Sequence, residues 1–232
     1  MLKVDSLTVH KGEIDILSEV SFEINPSETV CMLGRNGAGK TTLLRAILGA
    51  EPIVSGQAIV QGYDMHRPER QHVLTDVGAA IYPNSFYSYL SALENLWITQ
   101  RYYGVTRFSV DEMLHRFELY DVRQRPASQL SAGMKQRLLL ALAFINKPTL
   151  LLLDEPFNAV DRDNTRFILQ LLAELQREYQ TTVLLTSHSL PDVETLYSRI
   201  LLLKAGRLVA DRTKIDLTNS GISLTDFYDT IA

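Results

Sequence analysis

The sequence predicts an α/β protein with a mainly parallel sheet, an N-terminal antiparallel β region and an inserted helical segment over about residues 85–146. Three observations carry this. Aliphatic runs of strand length, such as Leu150–Leu153, lack polar alternation, as strands of a parallel sheet covered on both faces do. In the last third of the chain such runs alternate with helix-length segments. Near residue 34 a glycine-rich turn joins an apolar strand to a helical pattern.

Each element follows from a local signal. Leu7–Val9 and Val20–Ile24 read as short strands with in-out alternation, parted by the turn-like Lys11-Gly12-Glu13, which makes an antiparallel edge region. After Asn25-Pro26 the apolar run 29–33 enters the glycine-rich turn, and the helical pattern 42–48 follows, closed by Gly49. Ser91 with Glu94, and Ser109 with Glu112, have capping-box spacing: the serine accepts from a free helix N–H and the glutamate reaches back. Two helices should start there, the first ending at Gly104, and a third runs from Ser131 to Asn146 until Lys147-Pro148 stops it. The strand 150–153, a helix over about 162–179, the strand 182–186, a short helix after Ser189 and the strand 200–203 complete the core. No internal repeat or low-complexity linker interrupts the chain, so residues 1–232 are expected to form one domain with subdivisions.

Composition narrows the function. At 232 residues, 46% hydrophobic and 22% charged, the chain can bury a substantial core. A net charge of -4 supplies no broad basic face, so no nucleic-acid partner is expected. The lone cysteine, Cys31, lies in an apolar run and reads as a buried thiol, which fits a reducing compartment. The longest apolar stretch, 138–145, falls short of the roughly 18 residues that span a bilayer, and the opening MLKVDSL has no apolar leader. Any membrane role is therefore expected to run through a partner.

The chemistry starts at Gly34-Arg35-Asn36-Gly37-Ala38-Gly39-Lys40-Thr41, which fits G-x-x-x-x-G-K-[ST] between a strand and a helix. Glycines let backbone N–H groups turn inward as an anion nest, and the helix adds its positive N-terminal end. Lys40 would neutralise the β- and γ-phosphates of ATP, and Thr41 offers a hydroxyl to a magnesium ion that bridges phosphate oxygens; Thr42 completes the candidate nucleotide loop. The strand 150–153 ends in Asp154-Glu155-Pro156 and resembles a Walker B segment. Neighbouring side chains point different ways, so Asp154 can hold magnesium through water while Glu155 serves as general base on the attacking water.

Leu130-Ser131-Ala132-Gly133-Met134, followed by Lys135-Gln136-Arg137, resembles the LSGGQ signature of ATP-binding-cassette proteins, with Ala132 for a glycine and Met134 for the glutamine. Asn158-Ala159-Val160-Asp161 resembles that family's D-loop, and His188, after Thr186-Ser187, matches its switch histidine. The resemblance covers nearly the whole chain and implies the phosphate-loop NTPase fold and an ATPase in which Lys40, Glu155 and His188 are catalytic. It also implies head-to-tail pairing, each ATP lying between the glycine-rich loop of one cassette and Ser131 and Gly133 of the other, with Asp161 nearby. The second cassette would come as a homodimer or a related subunit, and separate transmembrane subunits would hold the pair on the cytoplasmic face of the membrane.

Two positions depart from the family pattern. Where an adenine-stacking aromatic is expected, just before Gly12, stands Lys11 preceded by His10; either His10 stacks on the base or Lys11 packs its stem there. At the glutamine that normally touches magnesium stands Tyr82, whose phenol, with a pKa of about 10, is a poor ligand at neutral pH. Tyr82, Phe86, Tyr87 and Tyr89 are read as a coupling surface for a membrane subunit, the other reading being packing of the helical segment. The run from 77 through Tyr87, with Leu93–Leu96 and Tyr103-Gly104, is similar to bacterial exporter cassettes of the multidrug and peptide-antibiotic immunity kind. Export is the leading expectation. A soluble cassette acting on ribosomes or DNA, and a regulatory cassette with little hydrolysis, are the alternatives.

Overall fold

The computed structural model describes residues 1–81, 85–104, 107–158 and 160–231. Strands β1 (Leu2–Lys11) and β2 (Ile14–Ile24) form a hairpin, longer than the alternation suggested, and β3 (Thr29–Leu33) leads through the glycine-rich turn into α1 (Lys40–Ile47). The hairpin's alternation is interrupted because Ser6 (φ 50°) and Glu19 (φ 51°) adopt left-handed backbone at register shifts, which keeps Leu2, Val4, Leu7 and Val9 all facing inward. Next come β4 (Ser55–Val60), β5 (Tyr63–Asp64) and β6 (Val77–Ala80), of which β4 and β5 had no counterpart in the sequence reading.

The helical segment holds α2 (Ala92–Tyr103), α3 (Val110–Arg116) and α4 (Ala132–Phe144). Both capping boxes form, at Ser91/Glu94 and Ser109/Glu112, and α2 stops at left-handed Gly104 as expected. The capping amides of Ser91 and Ser109 hold the Glu94 and Glu112 carboxyls below the usual range. Because these values are lower folded than unfolded, their contribution is present above the unfolded pKa and lost as pH falls through the folded one. The chain then runs through β7 (Leu150–Leu153), α5 (Arg162–Tyr179), β8 (Thr182–Ser187), α6 (Leu190–Val193), β9 (Arg199–Lys204), β10 (Arg207–Thr213), α7 (Lys214–Ser220) and α8 (Leu224–Ile231).

Two sheets result. An antiparallel sheet has the order β2-β1-β4-β5, and a six-stranded sheet has the order β10-β9-β3-β8-β7-β6, parallel except for the edge strand β10. The parallel strands alternate between two cores. Cys31, Leu33, Leu151, Leu153, Val183 and Leu185 face α4 and α5, while Val30, Met32, Leu150, Leu152 and Leu184 face α1 and the antiparallel sheet. Both faces are apolar, as a parallel sheet covered on both sides requires. Burial pushes the Cys31 thiol up, well above the usual thiol range.

The β6–α4 contact is a close one. A Cβ on Gly78 would lie 2.1 Å from the Ala143 carbonyl oxygen, which is backbone and cannot step aside. Gly78→Ala is expected to destabilise the fold by about 2 kcal/mol, the usual scale for overpacking, and to lower the melting temperature by roughly 4–8 °C. Thermal denaturation of the two proteins checks this.

Candidate active site

The site lies at the carboxyl ends of β3, β7 and β8, the three central strands of the parallel sheet. Leaving β3 at Leu33, the chain must reverse in a few residues to enter α1, and Gly39 (φ 103°) supplies the backbone that only glycine adopts readily. The first turn of α1 has no acidic side chain, so its free N–H groups and positive end face the cleft without a competing anion. Ile16, Asn36, Gly37, Ala38, Gly39, Lys40, Thr41, Thr42 and Glu155 line that cleft. Gly34 and Arg35 line an adjoining hollow against residues 203–205.

Lys40 is buried, and its ammonium donates to the Gly34 carbonyl at 2.6 Å and pairs with Glu155 Oε1 at 3.1 Å. The other oxygen of Glu155 lies 2.7 Å from His188 Nδ1, so lysine, carboxylate and imidazole form one continuous line. Glu155 itself sits in left-handed backbone (φ 47°), a conformation that a non-glycine residue keeps only where its surroundings hold it. Its amide donates to Thr186 Oγ1 at 2.9 Å.

Asp154 points the other way, as strand alternation requires. Thr41 Oγ1 donates to Asp154 Oδ2 at 2.6 Å, and Thr186 Oγ1 donates to Asp154 Oδ1 at 2.7 Å. Among the described residues no cluster of three His, Cys, Asp or Glu side chains could hold a metal. One converging hydroxyl and one carboxylate instead suit a hard cation that completes its shell with water and phosphate oxygens. Thr186 thus braces both acidic residues, a role that sequence reading missed. The parallel register that pairs Leu153 with Leu185, carried one residue on, sets Asp154 beside Thr186.

Ser131, Gly133 and Asp161 do not line the cleft. Ser131 caps α4, accepting from the Met134 amide at 3.2 Å. Asp161 caps α5, and the amide and side chain of Asn164 hold its carboxyl below the usual range. His10 does not line the cleft either: its Nε2 lies 3.0 Å from Asp15 Oδ1 across the β1–β2 hairpin, which holds the ring toward the hairpin's own strand. Lys11 lies 3.9 Å from the buried carboxylate of Glu51, which pairs with Arg45 at 2.9 Å. The hairpin residue that does line the cleft is Ile16.

A second surface lies on the helical segment. Tyr87, Tyr89 and Tyr102 are 51%, 73% and 87% exposed, and Ser85, Phe86, Tyr87, Ile98, Thr99, Tyr102 and Tyr103 line one groove. Asn95, buried on α2, clamps the aromatic segment: it accepts from the Tyr87 amide at 2.7 Å and donates to the Tyr87 carbonyl at 3.0 Å. Tyr82 and Ala159 lie outside the described residues.

Comparison with known proteins points to one family. The ABC transporter family model matches residues 17–158. The lantibiotic transport ATP-binding protein SrtF of Streptococcus pyogenes is 31% identical, over 91% of this chain and 90% of that protein. The bacitracin transport ATP-binding protein BcrA of Bacillus licheniformis is 31% identical, over 91% of this chain and 69% of that protein, and a phosphonates import ATP-binding protein of Nostoc is 33% identical, over 87% and 88%. Among solved structures, an ATP-binding subunit of an ABC transporter aligns with a TM-score of 0.89 at 25% identity, over 99% of this chain and 98% of that one. A dimeric ATP-binding cassette in a post-hydrolysis state, bound to ADP and Pi, aligns with a TM-score of 0.83 at 26% identity, over 92% and 98%.

Proposed function

The chain belongs to the ABC transporter family as one of its ATP-binding, ATP-hydrolysing cassettes, and on that premise we propose that it drives export of peptide antibiotics through separate transmembrane subunits. The observation that carries the ATPase half is the line from Lys40 through Glu155 to His188, with Thr41 and Asp154 converging beside it. ATP phosphates entering the cleft take over Lys40, which frees one Glu155 oxygen to accept a proton from the attacking water. His188 keeps the other oxygen, so the carboxylate stays aimed while it works. Magnesium would be held by Thr41 and Asp154 and would supply charge neutralisation on the phosphates.

The loop of residues 34–42 makes half of a site, and a second cassette completes it by bringing Ser131 to the γ-phosphate, where the hydroxyl donates. Ile16 takes the place proposed from sequence for His10, as the apolar wall beside the nucleotide. Residues 1–232 act as one unit, with the helical segment 85–146 carrying the transmembrane contact. No helix among the described residues is long and apolar enough to cross a membrane. The exposed aromatic groove over Phe86, Tyr87 and Tyr102 supports this contact, since aromatic side chains are enriched where an interface anchors. In this reading the cassette sits on the cytoplasmic, inner face of the membrane.

Replacing Tyr87 and Tyr102 together by serine is expected to abolish co-purification with the transmembrane subunit and to leave ATP binding by the isolated cassette unchanged. Retained co-purification contradicts the groove assignment. In vesicles reconstituted with that subunit, ATP-dependent movement of a lantibiotic or bacitracin away from the cassette side supports export, and movement of phosphonate toward it contradicts export.

A further inference from the structure

The residues attributed to the partner's nucleotide, Ser131 and Gly133, and the Asp161 turn stand on different helices, and one side chain ties them together. Asn164, in the first turn of α5, donates through Nδ2 to Asp161 Oδ1 at 2.9 Å, and its amide donates to the same oxygen at 2.8 Å. Its Oδ1 accepts from Arg137 Nε on α4 at 2.9 Å. Arg137 is fixed in turn by an ion pair with Glu118 and by the Phe167 ring, 4.0 Å from its guanidinium carbon. The Asn164 amide also fills the space where Gly133 lacks a side chain: a Cβ there would lie 2.3 Å from Nδ2 and 2.5 Å from Cγ. Both ends of this amide are committed, so it cannot swing away to make room.

We propose that Asn164 is a positioning residue that holds the Ser131–Gly133 turn and the Asp161 turn as one rigid edge for docking on the nucleotide of a second copy of the cassette. This rests on the paired reading given above. Asn164 touches neither the glycine-rich loop nor Glu155, and it stands outside the nucleotide cleft. Its removal therefore acts on pairing and leaves binding of nucleotide by a single cassette intact. The amide, with one donor and one acceptor end, suits its two partners: Arg137 needs an acceptor and Asp161 needs a donor. Aspartate at 164 has the same shape but sets a carboxylate against Asp161, and so it loses the side-chain bond to Asp161, leaving only the backbone one, while keeping the bond to Arg137.

The test uses the full chain carrying Glu155→Gln, so that bound ATP persists, with Asn164→Ala and with Asn164→Asp. Dimer formation with ATP is followed by analytical ultracentrifugation, and binding of a fluorescent ATP analogue is followed at protein concentrations where the cassette is monomeric. The Glu155→Gln parent dimerises with ATP; both Asn164 variants dimerise at least about tenfold more weakly, the scale of one lost charge-assisted hydrogen bond, and bind the analogue within twofold of the parent. Variants that dimerise like the parent, or that lose analogue binding in proportion to dimerisation, overturn the assignment. A parent that does not dimerise overturns the paired reading itself, and the assignment with it.

Discussion

Glu155→Gln is expected to lower the rate of phosphate release by about 100- to 10,000-fold, the range that a positioned general base contributes, while ATP affinity stays close to that of the unaltered protein. The amide keeps the size and much of the hydrogen-bonding capacity of the carboxylate, so the 2.7 Å contact with His188 can persist. What it cannot do is take a proton from water. A base that is lost without loss of binding separates the chemical step from nucleotide capture, and ATP-bound protein should accumulate. Single-turnover release of labelled phosphate, beside equilibrium binding of ATP, checks both halves. A rate within threefold of the original would remove Glu155 from the role of base.

Lys40→Ala is expected to weaken ATP binding by at least about 100-fold. The ammonium makes charge-assisted bonds of the kind worth roughly 1.5–3 kcal/mol each, and no other cation lines the cleft among the described residues. The substitution also strands Glu155, whose carboxylate is 19% exposed and would lose the cation 3.1 Å away. The two variants thus fail differently: one binds and does not turn over, the other does not bind. Titration of a fluorescent nucleotide distinguishes them, and Lys40→Ala with affinity within fivefold of the original contradicts the assignment.

Much of this architecture is legible in the sequence because local chemistry and global fold agree. Ser91 and Ser109 cap helices at the positions their glutamates announce, and Leu150–Leu153 lies in the sheet as an aliphatic strand buried on both faces. The antiparallel edges are less legible. At Ser6 and Glu19 a bulge shifts the alternation, so a ten-residue strand reads as a three-residue one. At Ala205 (φ 47°) and Gly206 (φ 75°) a two-residue turn joins β9 to β10, and the fragment Ala-Gly is a weaker hairpin signal than Asn-Gly.

The site divides in the same way. Contiguous residues, 34–41 and 154–155, announce themselves through spacing, because the chemistry needs them adjacent in the chain. Thr186, Asn164 and Ile16 act across elements, and their roles depend on strand register and helix packing that spacing does not encode. Thr186 had a readable trace, since its strand lies beside the one that carries Asp154. Asn164 had none: only the absence of a Cβ at Gly133 makes room for its amide. His10 shows the opposite case, a ring at a suggestive position that Asp15 draws to the hairpin.

The claim at the centre is that a single chain holds half of a site, with Lys40 and Glu155 on one cassette and Ser131 on another. Phosphate release at saturating ATP, measured over a hundredfold range of cassette concentration, tests this directly. A composite site predicts that activity per mole of chain climbs with concentration and levels off as the chains pair. Activity per mole that is constant from the lowest concentration, where ultracentrifugation shows only monomer, would contradict it.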